Sequence, residues 1–338
     1  PPPPPPETYT LGRSSAASDV YKRQQWDETF SENSFGFRPF RSAHDAVARA
    51  QSYLVEGYTW VVDMDLEKFF DRVNHDVLMS RVARRVEDKR LLKLIRAFLT
   101  SGVLVDGLFS GTREGTPQGG PLSPLLSNLL LDELDRELES RGLRFARYAD
   151  DCNVYVKSER AGKRVLQSLT NWLDKKLRLT VNPNKSAVDR PWKRKFLGFT
   201  FTTRRKRSIS KQARKKFKAR VRQLTKRNRG SSFQRVVSEL RSYLIGWRGY
   251  YGFCQTPSVL QNFDSWIHRR LRSYAWKQWK TGKRRFKELR KLGIGKDLAA
   301  QTAGSRKGGW HNSRSPALNM SLTRAMLIEL GVPLLLQT

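Results

Sequence analysis

Cysteine is almost missing from this chain: Cys152 and Cys254 are the only two among 338 residues. Two isolated thiols build neither a disulfide framework nor a four-ligand metal site, so no disulfides are expected. The four histidines are scattered, without zinc-ligand spacing. Long apolar runs are missing too. None approaches the roughly 20 residues needed to cross a bilayer, and no charged-then-apolar opening marks a signal segment. A soluble intracellular chain with no membrane partner is the expectation. Acid is scarce in one part only: residues 201–338 hold 33 Lys and Arg against 5 Asp and Glu, whereas residues 1–200 hold 32 against 26. There is no fixed-period repeat.

The formal net charge is +34, with a pI near 10.7. An excess concentrated after residue 200 implies a polyanionic partner, and aromatics interleaved with the charge make nucleic acid the default. An anionic membrane surface is the competing reading. The chain is long enough for more than one domain, and a hydrophobic share of 38% suffices for a core. Its opening differs in texture. Pro1 to Pro6 are low in complexity, and S-S-A-A-S-D-V-Y-K-R-Q, Ser14 to Gln24, resembles the in-frame translation of a transposon-end adapter. Residues 1–24 are therefore expected to be an artefactual or disordered leader outside the fold.

Between residues 33 and 201, strand and helix patterns alternate. Ser42 is a helix N-cap candidate and Ala43 onward has helical spacing. Trp60 to Leu66 reads as a strand with Asp63 and Asp65 on one face. Helical periodicity runs from Val77 to Leu99, then a Gly/Pro-rich loop opens onto a helix from Leu125 to Arg141. A hairpin R-F-A-R-Y-A-D-D-C-N-V-Y-V spans Arg144 to Val156. Lys163 to Leu177 is an amphipathic helix, Leu179 to Ser186 a strand ending in a turn, and Lys195 to Phe201 closes the segment. This describes a mixed α/β layer. Beyond a boundary near residues 202–210, three basic helices are expected at Gln212 to Arg227, Phe233 to Arg248 and Leu260 to Trp279, with Met320 to Leu330 as a last helix.

Adjacent Asp150 and Asp151 repel each other, and a turn needs at most one Asp. They are either an acidic hairpin turn or a site where a divalent cation offsets the repulsion, since hard cations take carboxylate oxygens. With Asp65 at the end of another strand, they are carboxylates of the kind that hold paired metal ions in nucleotidyl transfer. The flanking blocks V-D-M-D-L-E-K-F-F-D, G-T-P-Q-G-G-P-L-S-P-L-L-S-N, R-Y-A-D-D, N-P-N-K-S and K-F-L-G-F follow one another from Val62 to Phe199. In that order they resemble reverse transcriptases, above all the group II intron-encoded reverse transcriptase/maturase of bacteria. The stretch G-W-H-N-S-R-S-P-A-L-N is similar to the end of that family's maturase region. The resemblance covers roughly residues 27–338.

The resemblance implies a right-hand polymerase of α/β (α+β) class: partial fingers and palm over residues 25–203, an all-α thumb/maturase domain over 204–285, and a basic C-terminal part over 286–338. It implies RNA-directed DNA synthesis and binding of group II intron RNA to assist splicing and retromobility, in a bacterial cytoplasmic ribonucleoprotein. Partners so implied are an RNA template with a DNA primer, deoxynucleoside triphosphates and target DNA, with Mg2+ in a two-metal site. Asp65, Asp150 and Asp151 match its metal-binding carboxylates, while Asp63 is left as structure. Phe70 matches the residue under the incoming sugar, where an aromatic ring excludes a 2′-hydroxyl. Gln118 matches a residue near the nucleotide, and Arg38 is a further nucleotide-side candidate beside its alternative as surface charge. Tyr148 packs beside the primer end or in the core; Lys185 is a proton donor to pyrophosphate or a solvated lysine. Phe196 to Phe199 resemble the primer-gripping turn, with core packing as the alternative. The basic aromatic-rich helices bind RNA, each single aromatic being read as core. The family's further N-terminal blocks and a C-terminal endonuclease module are expected to be lacking. A retron, diversity-generating or defence-associated reverse transcriptase, or an RNA-binding maturase remnant without polymerase activity, are the alternatives.

Overall fold

The computed structural model describes residues 26–101, 103–105, 108–110, 114–116 and 122–336. They divide into two compact units between Arg205 and Lys206.

In the first unit, helix α1 (Ala43–Val55) starts at the expected cap: Ser42 accepts from the Asp45 N–H while the Asp45 carboxylate accepts from the Ser42 N–H. Strand β1 (Trp60–Met64) follows, then the short helix α2 (Phe69–Arg72), α3 (His75–Val82) and α4 (Lys89–Thr100). The single periodic run expected from Val77 to Leu99 is thus two helices. Asn74 and Asp88 each cap the helix that follows, so the basic break between them is a true boundary. A small hairpin, β2 (Val103–Val105) and β3 (Leu108–Ser110), precedes α5 (Ser123–Ser140), β4 (Arg144–Tyr148), β5 (Asp151–Val156), α6 (Glu159–Leu177), β6 (Ala187–Asp189) and β7 (Phe199–Phe201).

The main sheet runs β4-β5-β1-β6, with every pairing antiparallel. Strand alternation sorts its faces. Val62, Met64, Cys152, Val154 and Val156 belong to one apolar core with Leu126, Leu130 and Leu134 of α5 and Leu169 and Leu173 of α6. The odd-numbered positions of β1 and β5 take the other face, where Asp63 stands opposite Asn153. Leu179 to Ser186 departs from its expected strand. Only Val181 makes a bridge, to Leu66, because Pro183 lacks an N–H and Asn182 turns the chain by accepting from the Asn184 N–H; β6 starts after it.

The second unit has strand β8 (Arg207–Ile209) and helices α7 (Lys211–Leu224), α8 (Phe233–Tyr251), α9 (Pro257–Gln278), α10 (Gly282–Lys291), α11 (Lys296–Ala303), α12 (Gly309–Asn312), α13 (Pro316–Ser321) and α14 (Arg324–Glu329). Phe217 packs in tilted contact with Trp247 at 4.2 Å and Phe263 at 4.5 Å in the core of α7, α8 and α9. Trp276 and Trp279 join Leu289 and Leu318 in a second cluster. Trp247, Trp276 and Trp279 are therefore buried in core, whereas Tyr250, Tyr251 and Trp266 stay partly exposed. The expected last helix is split at Leu322 into α13 and α14.

Candidate active site

β4 and β5 are joined by a two-residue turn, because Tyr148 pairs with Asp151. Ala149 takes the left-handed region at φ 56°, which alanine adopts only under constraint. The constraint is visible on both sides. The Gly36 backbone lies so close that a Cβ there would collide with Ala149 N and Tyr148 C. Behind the turn, Arg147 is wholly buried and all five guanidinium N–H groups are placed. Nε and Nη2 hold Asp135 at 2.7 and 2.5 Å, Nη1 donates to Asn128 Oδ1 at 3.1 Å and to the Ala149 carbonyl at 3.0 Å, and Nη2 also reaches Ser34 Oγ at 2.8 Å. Asn128 in turn donates to the Gly36 carbonyl at 2.9 Å. One arginine thus ties α5, the segment at Ser34 and the aspartate turn into one body.

The β1–β5 register ends at Met64 opposite Cys152, so Asp65 follows the last residue of β1 at the end where β5 begins with Asp151, close enough for their charges to interact. Asp65 sits just past the strand, its N–H on Ser186 Oγ at 3.0 Å and its carbonyl accepting from the Asn182 N–H at 2.8 Å. The turn after Val181 therefore serves as a shelf for Asp65, and it places the Lys185 ammonium 3.5 Å from Asp65 Oδ1. Both groups are largely exposed, so this pair adds little stability. Asp63, one position back on the same face, is held by Arg194 at 2.6–2.8 Å. Burial pushes the Asp63 and Asp150 carboxyls above the usual carboxylate range, with nearby Asp65 adding to the rise in both. The Asp151 carboxyl is pushed up to about 7, by burial first and then by the charges of Asp63, Asp150 and Asp65.

Phe70 packs edge-on to Phe69 at 5.2 Å, and its carbonyl accepts from the Thr116 N–H at 2.6 Å. Gly115 takes φ 93° where a side chain would meet the Phe70 and Asp71 carbonyls, and His75 Nε2 bonds the Gly115 carbonyl at 2.6 Å. The start of the Gly/Pro loop is thereby anchored under Phe70; Gln118 lies outside the described residues. Tyr148 is partly buried beside Asp151. Phe196 and Phe199 are both buried, paired to each other across a turn at Leu197 and Gly198. Arg38 is engaged by partners of its own. It is buried, donates to Asp27 at 2.7 Å and to the Ser34 carbonyl at 3.0 Å, and lies over Phe30. Sequence reading passed over Arg147, Asp135 and Arg194. For Arg147 and Asp135 the available signal was charge inside an otherwise apolar strand or helix face, where an unpaired ion is too costly to keep; Arg194, in the turn that precedes β7, offered no such signal.

Among the described residues, no three His, Cys, Asp or Glu side chains are gathered closely enough to ligate one ion. The donor chemistry nevertheless fits a hard cation: burial first, and neighbouring carboxylate charge second, raise the Asp150 and Asp151 carboxyls beside Asp65, and a bound divalent charge would oppose that rise. Both cysteines are free, and no described helix is long and apolar enough to cross a membrane.

Residues 15–201 match the family described as reverse transcriptase (RNA-dependent DNA polymerase), and residues 214–293 match the group II intron maturase-specific domain. Among curated relatives, protein YkfC of Escherichia coli is 30% identical, with 48% of this chain and 53% of that protein covered. The group II intron-encoded protein LtrA of Lactococcus lactis is 36% identical over 41% of this chain and 23% of its own length. The chain thus spans about half of the first relative and less of the second. A telomerase from Candida albicans, solved with a fragment of telomeric RNA, aligns with a TM-score of 0.51 at 14% identity, over 92% of this chain and 53% of that one. That likeness shows the fold: a reverse transcriptase fold of mixed helix and sheet with a helical C-terminal part, as the motifs implied. Reverse transcriptases use divalent metal ions. By its matched polymerase region and the maturase domain behind it, the chain belongs to the group II intron-encoded reverse transcriptase/maturase family.

Proposed function

We propose that this chain is an RNA-directed DNA polymerase of a group II intron, extending a DNA primer on an RNA template with deoxynucleoside triphosphates. Residues 25–203 form the fingers and palm in this reading. The helices over 204–285 and the basic part over 286–338 bind intron RNA, assisting splicing and, with target DNA, retromobility, in a cytoplasmic ribonucleoprotein. The observation that supports it most is the juxtaposition of Asp65 with the rigidly held Asp150–Asp151 turn.

Asp65, Asp150 and Asp151 would hold Mg2+, which supplies activation of the primer 3′-hydroxyl and charge stabilisation of the leaving pyrophosphate. The chain's own contributions are separate from that. The Arg147 body fixes where two of the carboxylates stand. Phe70, seated on the Thr116 anchor, excludes a ribose 2′-hydroxyl from the nucleotide site. Lys185, exposed beside Asp65, delivers a proton to pyrophosphate, and Tyr148 packs beside the primer end.

Asp151→Asn is expected to remove Mg2+-dependent primer extension on RNA by at least about a hundredfold, while binding of the same RNA in filter assays stays within twofold. Full extension by the substituted protein would defeat the site assignment. A second reading, an RNA-binding maturase whose polymerase site is idle, is favoured by the basic excess lying after residue 200, separate in sequence from Asp65, Asp150 and Asp151. It predicts RNA binding with no extension even in the unsubstituted chain.

A further inference from the structure

The five acids after residue 200 are few enough to follow one by one. Glu239 is taken by Arg229 and Arg235, Asp264 by the backbone N–H groups of Leu335 and Leu336, and Glu288 by Arg284. Asp297 and Glu329 lie on α11 and α14. None of the five lines two adjoining cavities of about 270 and 690 Å³ between α7, α9 and the segment leading into α12. Eight Lys and Arg line them, and Arg222, Arg227 and Arg270 belong to both.

Arg270 is the unusual member. It is half-buried, and its Nε donates to Thr225 Oγ1 at 2.5 Å while Nη2 reaches the Thr225 and Arg222 carbonyls at 3.2 and 3.4 Å. Those bonds fix the guanidinium plane, yet Nη1 makes no hydrogen bond among the described residues. Arg227 spans from the exposed side to Ser273 Oγ at a long 3.4 Å. Arg222 and Arg270 both stand over the Trp266 ring, 5.7 and 5.4 Å from its centre. Two cations thus share this partly exposed ring. Burial and the neighbouring charges of Arg222 and Arg227 push the Arg270 guanidinium down to about 10. A partly desolvated cation held among other cations, with no acid to offset it, is costly unless an anion completes the site. Fixed, forked donors beside hydroxyl groups are what a phosphate oxygen needs.

We propose that this cavity is a seat for backbone phosphates of RNA, with Arg270 as the fixed donor and Arg222 and Arg227 closing from the solvent side. It rests on the reading that the second unit binds RNA and assigns that binding a place. Most basic side chains here then contribute only screened, diffuse attraction, whereas these three determine where the backbone lies.

The test uses the full chain with a labelled RNA hairpin, followed by fluorescence anisotropy across a salt series, and separately with pyrophosphate followed by thermal midpoint. Arg270→Gln and the pair Arg222→Gln/Arg227→Gln are each expected to weaken hairpin binding by about tenfold. They should also flatten the salt slope by about one unit per lost phosphate contact. The control Lys283→Gln/Lys287→Gln removes two exposed charges from α10 that line neither cavity and is expected to change affinity by less than about threefold. The Arg222/Arg227 pair is exposed and guards against misfolding of the Arg270 variant. Equal losses in cavity and control variants would overturn the seat while leaving RNA binding by the unit intact. If the unsubstituted chain ignores the hairpin, the RNA reading falls, and this proposal with it. A pyrophosphate-induced rise in midpoint that vanishes in the cavity variants would then assign the seat to free phosphate compounds.

Discussion

Arg147 bears more structural responsibility than any other single side chain near the carboxylates. With no solvent access, its charge is tolerable only because Asp135 is bidentate to it and three further acceptors use up the remaining donors. Removing one partner of such a buried pair costs about 3–5 kcal/mol, since the other charge is stranded. Arg147→Met is therefore expected to lower urea-unfolding stability by that amount. The double variant Arg147→Met/Asp135→Leu is expected to recover most of it, because an apolar pair of similar volume carries no desolvation cost. Primer extension distinguishes a positioning role from a merely structural one. The double variant still leaves the Ala149 carbonyl without its donor and the turn free to relax, so extension should stay at least about tenfold down, with a raised Mg2+ requirement. If stability and extension return together, Arg147 serves the fold alone.

At the scale of elements, α9 contains a second titratable group whose state is set by its surroundings. His268 is buried with Arg272 and Arg324 nearby, and burial followed by those two charges pushes its imidazole down to about 4. The unfolded chain takes up this proton near pH 6.5, the folded chain only near 4. The stability that depends on a neutral His268 is therefore fully present above pH 6.5 and is lost as pH falls from there to about 4, a difference worth about 3 kcal/mol. Urea midpoints at pH 7 and pH 4.5 should fall further apart in the unsubstituted chain than in His268→Gln; an unchanged gap would show that His268 does not titrate in this window. Elements like α9 were legible because amphipathic spacing and caps act locally: Ser42 and the runs after residue 210 predict their own helices. What failed was context. Val77 to Leu99 has one period but two caps, and Leu179 to Ser186 has strand-like residues whose partner, Leu66, can be met at a single position only. The site divides the same way. Motif order pointed to Asp65, Asp150 and Asp151, whereas Arg147, Arg194 and Ser186 matter through contacts more than 10 residues away in sequence, and Arg38 is drawn into a pair with Asp27 that no local pattern announces.

For the whole molecule, charge sets two responses to salt that run in opposite directions. Residues 201–338 carry 33 basic against 5 acidic side chains, and the ion pairs available there are few and mostly exposed, so self-repulsion is the larger electrostatic term in the free chain. At low ionic strength the Debye length is long, near 30 Å at 0.01 M, and that repulsion acts across the unit; at 0.15 M it shrinks to about 8 Å. Raising NaCl between these values is expected to raise the thermal midpoint of the free chain, by about 2–4 °C for each kcal/mol of repulsion relieved. The same change should weaken RNA binding steeply, because each phosphate neutralised by Lys or Arg releases a counterion that added salt opposes. Differential scanning calorimetry and anisotropy titrations on one preparation measure both. A midpoint that falls with salt would mean that exposed ion pairs outweigh repulsion. An affinity indifferent to salt would mean that the basic excess does not meet phosphate at all. Stability gained where affinity is lost is the signature of a surface whose charge is balanced by its polyanionic partner and not by the chain itself.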